Sequence, residues 1–393
     1  MSTVAPPSAA ERPWKALVAR VGVAYVLSRL CVMAGAGIVA AQQVAEERTS
    51  EGFVRPKNAV GLITEVLTSW DGKWYYEIIR HGYPKVIPPN VTWDMLEART
   101  AFFPVFPTVA RWFDWVLPGG DVLAGLLLNF LLGAGVVYVV GLLTRDLFDT
   151  RVAYRAMLLV TFFPGSFVLS FTYSEASLLL LASLCLLMLQ RERWLAAGLL
   201  AAVGTAARPN GLALVAACAV ASFLVIRSRR AWSSLVAPAL APVGFVGFQL
   251  YLRIRTGEWA WFRVQREAWD EGTSFGLTAI RNSLDAIVHP LASPTDILTA
   301  VSTVVTVVLV VVMWKRRLPW PLIAYTVVIL GLMLLPSTVT ARPRFVYTAF
   351  PAFISVAAWW PEEHEEAWDA LLAMCGAGLV TLTGLYGVFG AIP

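Results

Sequence analysis

Charge is what this chain has least of. Of 393 residues, 15% are charged and 58% are hydrophobic, where a soluble globular domain carries about 25% charged and roughly 45–50% apolar residues. That deficit excludes a cytosolic enzyme, a disordered chain and a collagen-like fibre. Histidine is scarce too: His81, His289 and His364 are too few and too scattered for a zinc cluster. The four cysteines, Cys31, Cys185, Cys218 and Cys375, lie singly in apolar segments without CxxC spacing. They read as small core residues, neither a disulfide frame nor a metal site. A P-loop, a GxGxxG after a strand, an HExxH and a Ser/His/Asp set are all missing, so nucleotide-dependent transport has no support.

What is present is long apolar sequence. Mean hydropathy is +0.66, and a spanning helix needs about 20 mostly apolar residues. Spans are expected near 16–41, 121–143, 155–172, 175–190, 195–207, 210–226, 232–252, 297–314, 319–336, 343–360 and 368–390. The expected fold class is an all-α polytopic membrane protein of about 10–12 transmembrane helices, a single integral-membrane domain over 1–393. The run 101–117 is broken by Pro104 and Pro107 and carries Arg111 and Asp114, so it reads as interfacial or re-entrant. The first span is too long for a signal peptide and carries Arg29 near its middle.

The net charge of +5 is arranged by position. Basic clusters at Arg12–Arg20, Arg145–Arg155, Arg191–Arg193, Arg227–Arg230 and Lys315–Arg317 fall in alternate short loops. The positive-inside tendency places these in the cytoplasm, together with the N-terminus at 1–15. The acidic run Glu362–Glu366 falls on the same side and reads as a solvated charge run. A first large loop at 43–120, a second at 253–296, and tips near 173–175, 208–210 and 342–344 then lie outside. Membrane lipid is the expected surroundings and nucleic acid is not an expected partner. Arginine outnumbers lysine 26 to 5 and alanine is abundant, which points to a GC-rich bacterial genome and a plasma-membrane location.

The outside group collects the polar residues that topology does not explain. Asp71 sits in Ser69-Trp70-Asp71-Gly72-Lys73-Trp74-Tyr75-Tyr76. Trp70, Trp74 and Ile78 recur at helical spacing, so an amphipathic helix with its aromatic face in the headgroups is expected. Asp71 is then either its N-cap or a general base at the water–lipid boundary. Glu175 is the only acidic residue between about 150 and 191. It either opens the next helix beside Ser174 or is a functional carboxylate. Arg208 in Ala207-Arg208-Pro209-Asn210-Gly211 either belongs to a plain turn or presents a guanidinium fork to an anionic oxygen. Arg342 and Arg344 flank Pro343 and either snorkel or bind a phosphate.

In that order the motifs resemble the PIG-V (GPI mannosyltransferase 2) family of polytopic glycosyltransferases, in its bacterial branch. The resemblance spans most of the chain. It rests on Trp70, Asp71, Gly72, Trp74, Tyr75, Gly82 and Tyr83; on Phe102, Phe103, Pro104, Phe106 and Pro107; on Pro164, Tyr173, Ser174 and Glu175; on Arg208, Asn210 and Gly211; and on Pro343, Arg344 and Phe345. The chain departs from that pattern with Phe163 where Asn is common and Pro209 where Ser is common. The Pro changes how Asn210 is presented.

The resemblance implies a GT-C-type fold with a large first extracytoplasmic loop. It also implies an inverting transfer of a sugar, mannose being the expected one, from a polyprenyl-phosphate donor to an extracytoplasmic hydroxyl. Asp71 becomes the base. Arg208 and Arg344, with Arg342 beside them, become the donor-phosphate ligands. Trp70, Trp74, Tyr75 and Asn210 shape the sugar or carrier site, and Glu175 binds sugar hydroxyls or orients an arginine. No metal or other cofactor is expected, since one or two guanidinium groups can stabilise a lipid-phosphate leaving group. The acceptor, whether glycan, lipid or protein, is not legible. Two other readings stay open: another polyprenyl-linked sugar on the same fold, and a non-catalytic lipid-linked saccharide transporter or partner subunit.

Overall fold

The computed structural model describes residues 11–49, 58–338 and 340–392. Most of the expected cytoplasmic segment 1–15, and residues 50–57 of the expected first loop, lie outside the described residues. No strand occurs among the described residues, and the one isolated bridge joins Thr273 to Pro336. Six helices are long and apolar enough to cross a membrane: Trp14–Glu46, Gly120–Leu147, Pro209–Arg229, Trp232–Thr256, Pro294–Lys315 and Glu365–Gly387. Three shorter apolar helices accompany them, Glu175–Gln190, Trp194–Thr205 and Trp320–Leu334. The chain is a multi-pass, all-helical membrane protein.

The first helix runs Glu11–Thr49, well beyond the expected end at 41. At 1.5 Å per residue its 39 residues exceed a hydrocarbon core of about 30 Å. Its C-terminal turns run into the expected loop at 43–120. The helix packs along Glu365–Gly387, while Gly120–Leu147 lies between Thr150–Phe162 and Glu175–Gln190.

Three expected spans are interrupted at proline. The run 232–252 breaks at Ala241-Pro242, between the helices Val236–Leu240 and Val243–Thr256. The run 155–172 is a helix Thr150–Phe162 followed by a 3-10 turn Pro164–Leu169. The run 343–360 is two short helices, Pro343–Thr348 and Pro351–Trp359. Proline lacks the N–H that continues a helix and suits its first position. Broken backbone at membrane depth survives only where protein satisfies it. Here Arg29, buried mid-helix, donates to Thr161 O at 3.1 Å, Ser166 O at 2.7 Å and Ser166 Oγ at 2.9 Å. The Tyr347 hydroxyl donates to Val160 O at 2.8 Å.

The segments 74–113 and 245–269 form a second core, largely aromatic, with Trp74, Tyr83, Phe102, Phe103, Phe106 and Phe248 buried together. This corrects one expectation. The helix over Asp71–His81 forms, but Trp74 and Ile78 pack into protein and not into headgroups. The outward aromatics are Trp112 and Trp115, on the amphipathic helix Val105–Val116 of the expected interfacial run.

The charges sort to the two ends of the helices. At one end Arg151 pairs with Glu362 and with Glu365 at 2.8 Å, Arg191 with Asp146 at 2.7 Å, and Arg229 with Glu192. The acidic run thus partners the basic clusters. Asp71, Glu175, Arg208 and Arg344 meet at the opposite end. Replacing Arg29 by Met should lower the melting temperature of the detergent-solubilised protein, because each stranded buried carbonyl costs about 1–3 kcal/mol. Arg29→Lys should recover part of that loss in the same melt.

Candidate active site

Three consecutive residues set the position of Asp71. Trp70 has φ +56° and ψ −119°, a conformation sparsely populated for a bulky residue and held only where the surroundings over-determine it. Its indole N–H donates to Tyr386 O at 3.0 Å and its ring lies 5.1 Å from that of Phe389. The turn makes Asp71 the first helical residue. It is not the N-cap, and no side chain caps this helix. Gly72 then lets the helix approach Thr172, because a Cβ there would lie 2.5 Å from Thr172 Oγ1. Thr172 is itself tied to Leu67 O through its backbone N–H at 3.0 Å.

The Asp71 carboxylate meets a charged cluster. Arg344 Nη1 donates to Asp71 Oδ2 at 2.6 Å and lies 3.7 Å from Glu175 Oε1. Arg208 Nη1 lies 2.7 Å from Glu175 Oε2 and donates to Ser174 Oγ at 3.1 Å. Neither arginine meets Glu175 along a hydrogen-bonding direction, so these are ion pairs and both Glu175 oxygens keep free lone pairs. Glu175 is fully buried, whereas the Asp71 side chain is 20% exposed. Ser174 does not cap its helix; its hydroxyl bonds the Tyr75 hydroxyl instead. Burial pushes the Tyr75 phenol up, so it keeps its proton at ordinary pH. The guanidinium of Arg344 also lies over Tyr173 at 5.4 Å and Phe345 at 4.7 Å.

Buried polar atoms without a hydrogen bond gather here: both Glu175 oxygens, Arg208 Nε, Arg344 Nε and the Tyr173 hydroxyl. Buried polar groups are normally satisfied, and such a concentration marks a place where stability has been given up. The supporting backbone is packed tightly. A Cβ on Gly165 would lie 2.3 Å from Pro343 O, and one on Gly211 would lie 2.2 Å from Gly204 O. Both glycines are fixed by close approach.

A cavity of about 190 Å³ opens above the cluster. Asp71, Tyr75, Arg208, Asn210 and Arg344 all line it. Pro209 opens the 3-10 turn Pro209–Leu212 that presents Asn210. Glu175 lies beneath, and Trp74 stands behind the wall, stacked on Phe102 at 6.1 Å and against Trp269 at 6.2 Å. Two further expected residues, besides Glu175 and Trp74, do not line this cavity. Trp70 is turned toward Tyr386 and Phe389, which makes it the anchor of the turn. Arg342 is buried against the Thr299 hydroxyl and Ala341 O, with no carboxylate in ion-pairing range among the described residues.

Sequence reading missed the other wall. Gln265, Trp269 and Glu271, from the second large loop, line the cavity. Glu271 clasps the segment after Trp320–Leu334, accepting from Ser337 N at 3.0 Å and from the Thr338 hydroxyl at 2.7 Å. The only signal was an aromatic beside an acid and Gly272. Asn129 was also missed, a lone amide in an apolar span. It donates to Phe171 O at 2.5 Å and Tyr173 O at 2.8 Å and so fixes the turn that leads into Glu175. Among the described residues, no three His, Cys, Asp or Glu side chains are grouped to hold a metal.

Gly72→Ala should destabilise the protein by about 1–3 kcal/mol through overpacking. Adding Thr172→Ala, which removes the obstructing hydroxyl, should return most of the lost melting temperature. No recovery would mean that the helix is not held by this approach.

Residues 104–251 match the profile of a family described as dolichyl-phosphate-mannose-protein mannosyltransferase. That stretch holds Glu175 and Arg208 but neither Asp71 nor Arg344. No curated protein matches the chain. Among solved structures, ArnT from Cupriavidus metallidurans bound to undecaprenyl phosphate is similar at 16% identity and a TM-score of 0.52, over 77% of this chain and 57% of that one. The apo oligosaccharyltransferase of Archaeoglobus fulgidus is similar at 15% identity and a TM-score of 0.42, over 81% of this chain and 50% of that one. The chain thus spans just over half the length of the first of these and half of the second. With its all-helical, multi-pass architecture, the chain has the GT-C glycosyltransferase fold.

Proposed function

We propose that this protein is an inverting glycosyltransferase that moves a sugar, mannose being the favoured one, from a polyprenyl-phosphate donor to an acceptor hydroxyl. The observation that carries this reading is one partly exposed carboxylate, Asp71, facing a cavity beside two buried guanidinium groups, Arg208 and Arg344, which Glu175 bridges. The profile match over 104–251 and the likeness of fold support the donor class. The finer placement in the PIG-V-like family rests on the motif order.

In this mechanism the acceptor hydroxyl enters beside Asp71. Its oxygen attacks the anomeric carbon as the proton passes to an Asp71 oxygen. The bond to the phosphate oxygen breaks on the opposite face, so one displacement inverts the centre. Charge develops on the leaving phosphate, and Arg208 and Arg344 stabilise it in a water-poor pocket where such contacts count most. Donor phosphate competes with Asp71 for Arg344 Nη1, which frees the carboxylate as the donor arrives. Glu175 holds both guanidinium groups in register before the donor is present. Tyr75, Trp269 and Asn210 border the sugar. The basic clusters at the opposite end of the helices favour a site on the extracytoplasmic face under the positive-inside tendency, and the arginine-rich composition favours a bacterial plasma membrane.

Asp71→Asn should keep the protein folded and membrane-inserted while transfer from labelled polyprenyl-phosphate mannose falls by roughly 10²–10⁴-fold. Full transfer by that variant would remove the mechanism. Arg344→Gln should weaken donor binding by roughly ten- to a hundredfold, as expected for a lost charge-assisted hydrogen bond. Unchanged donor affinity would take Arg344 out of the phosphate site.

A further inference from the structure

A second and larger cavity, of about 700 Å³, has Pro104 and Ala206 in its lining, whose chain neighbours Phe103 and Ala207 line the first. It is bounded by the end of the Asp71–His81 helix, by Val105–Val116 and by Val243–Thr256. Arg111 and Arg255 line it and are fixed in the same way. Arg111 Nε donates to Ile79 O at 2.7 Å, and Arg255 Nε donates to Tyr83 O at 2.7 Å. Each guanidinium is thus tied by its inner nitrogen. The terminal nitrogens of both have no partner among the described residues, and no carboxylate pairs with either.

Other nearby arginines have their terminal nitrogens engaged: Arg99, held through Nε by Gly82 O, also donates from Nη1 to Leu96 O at 2.6 Å. Arg80 pairs with Asp121 at 2.6 Å, and Arg263 with Glu258 at 2.9 Å. The one lining residue with an acidic contact is His81, 3.0 Å from Glu77. The rest of the lining is mainly apolar and aromatic, with Phe248, Trp112 and Ile78 among its walls, and Thr108 and Tyr251 add hydroxyls. At Gly247 a Cβ would meet nothing within 4 Å, so the missing side chain leaves the slot open. Trp112 and Trp115 stand outward on the bordering amphipathic helix, as aromatics do at headgroup level.

Two oriented, unpaired guanidinium groups over an apolar slot at a membrane interface suit a phosphate on a lipid chain. The geometry points to a binding site for an amphiphile with a phosphate headgroup, with Arg111 and Arg255 on the phosphate and the Trp112–Phe248 slot on the chain. Its identity as the acceptor of the transfer rests on the function proposed above; the binding does not.

The test is binding of phosphatidylglycerol, and of diacylglycerol with the same chains, to the full-length protein in uncharged detergent, read by native mass spectrometry. The wild type should retain phosphatidylglycerol over diacylglycerol. Affinity should fall about tenfold or more in Arg111→Gln/Arg255→Gln. Gly247→Leu, whose Cβ would meet nothing within 4 Å, should lower it similarly at an unchanged melting temperature, and Asp71→Asn should leave it unaltered. Equal retention of diacylglycerol, wild-type affinity in both cavity variants, or displacement of the lipid by inorganic phosphate would overturn the proposal. Binding is read without turnover, so the two readings fail separately. Lost selectivity with an inactive Asp71→Asn removes only the second site. Retained selectivity with an active Asp71→Asn removes only the transfer mechanism.

Discussion

Glu175 has no contact with solvent, yet two arginines depend on it. An ion buried without a partner is expensive, and removing one member of a buried pair typically costs about 3–5 kcal/mol. Discarding the carboxylate therefore strands Arg208 and leaves Arg344 with Asp71 alone, and losing Arg208 takes away the nearer of the carboxylate's two cations. Arg344 passes the constraint on to Asp71. Much of the surrounding structure can be read as what this cluster requires: Asn129 shaping the turn before Glu175, Gly211 admitting the Arg208 turn, and Gly165 admitting the Arg344 helix. The two guanidinium and two carboxylate groups sum to zero formal charge, so the cluster can exist at the edge of an apolar domain and still offer positive charge once an anion displaces Asp71.

The architecture was legible because apolar length and basic loops are one-dimensional signals. A run of twenty apolar residues reads the same before and after folding. The breaks were less legible. Pro164 and Pro351 are visible in sequence, but a proline does not announce whether a helix kinks or stops. At Pro164 the outcome depended on Arg29, which lies more than a hundred residues away and satisfies the carbonyls of Thr161 and Ser166. The aromatic face of the Asp71–His81 helix was misassigned for a similar reason. Periodicity shows that Trp74 and Ile78 share a face, and it does not show whether lipid or protein covers them.

At the candidate site, sequence showed which residues were costly and not which faced one another. Arg342 and Arg344 look equivalent, two positions apart around one proline. Arg342 is the extended residue before a short helix, and Arg344 lies in its first turn, which aims them at different neighbours. Trp70 shared a helical spacing with Trp74 but precedes the helix with a positive φ, so that spacing did not apply to it. Trp269 and Gln265 carried no signal above their loop, because a polar residue in a polar segment has nothing to contrast with. Glu175, in an apolar segment, did.

The anchor of Trp70 has a consequence for how the protein is made. Asp71 is among the first of the cluster residues to be synthesised, but the turn that aims it is clamped on Tyr386 O and the Phe389 ring, more than three hundred residues later. Arg344 also arrives long after the carboxylate it holds. A ribosome-bound intermediate with most of its helices inserted would thus carry the aspartate without its clamp. The cluster would be complete only when the helix Glu365–Gly387 docks. Any lesion that loosens that helix would act on the distant aspartate as directly as a substitution beside it.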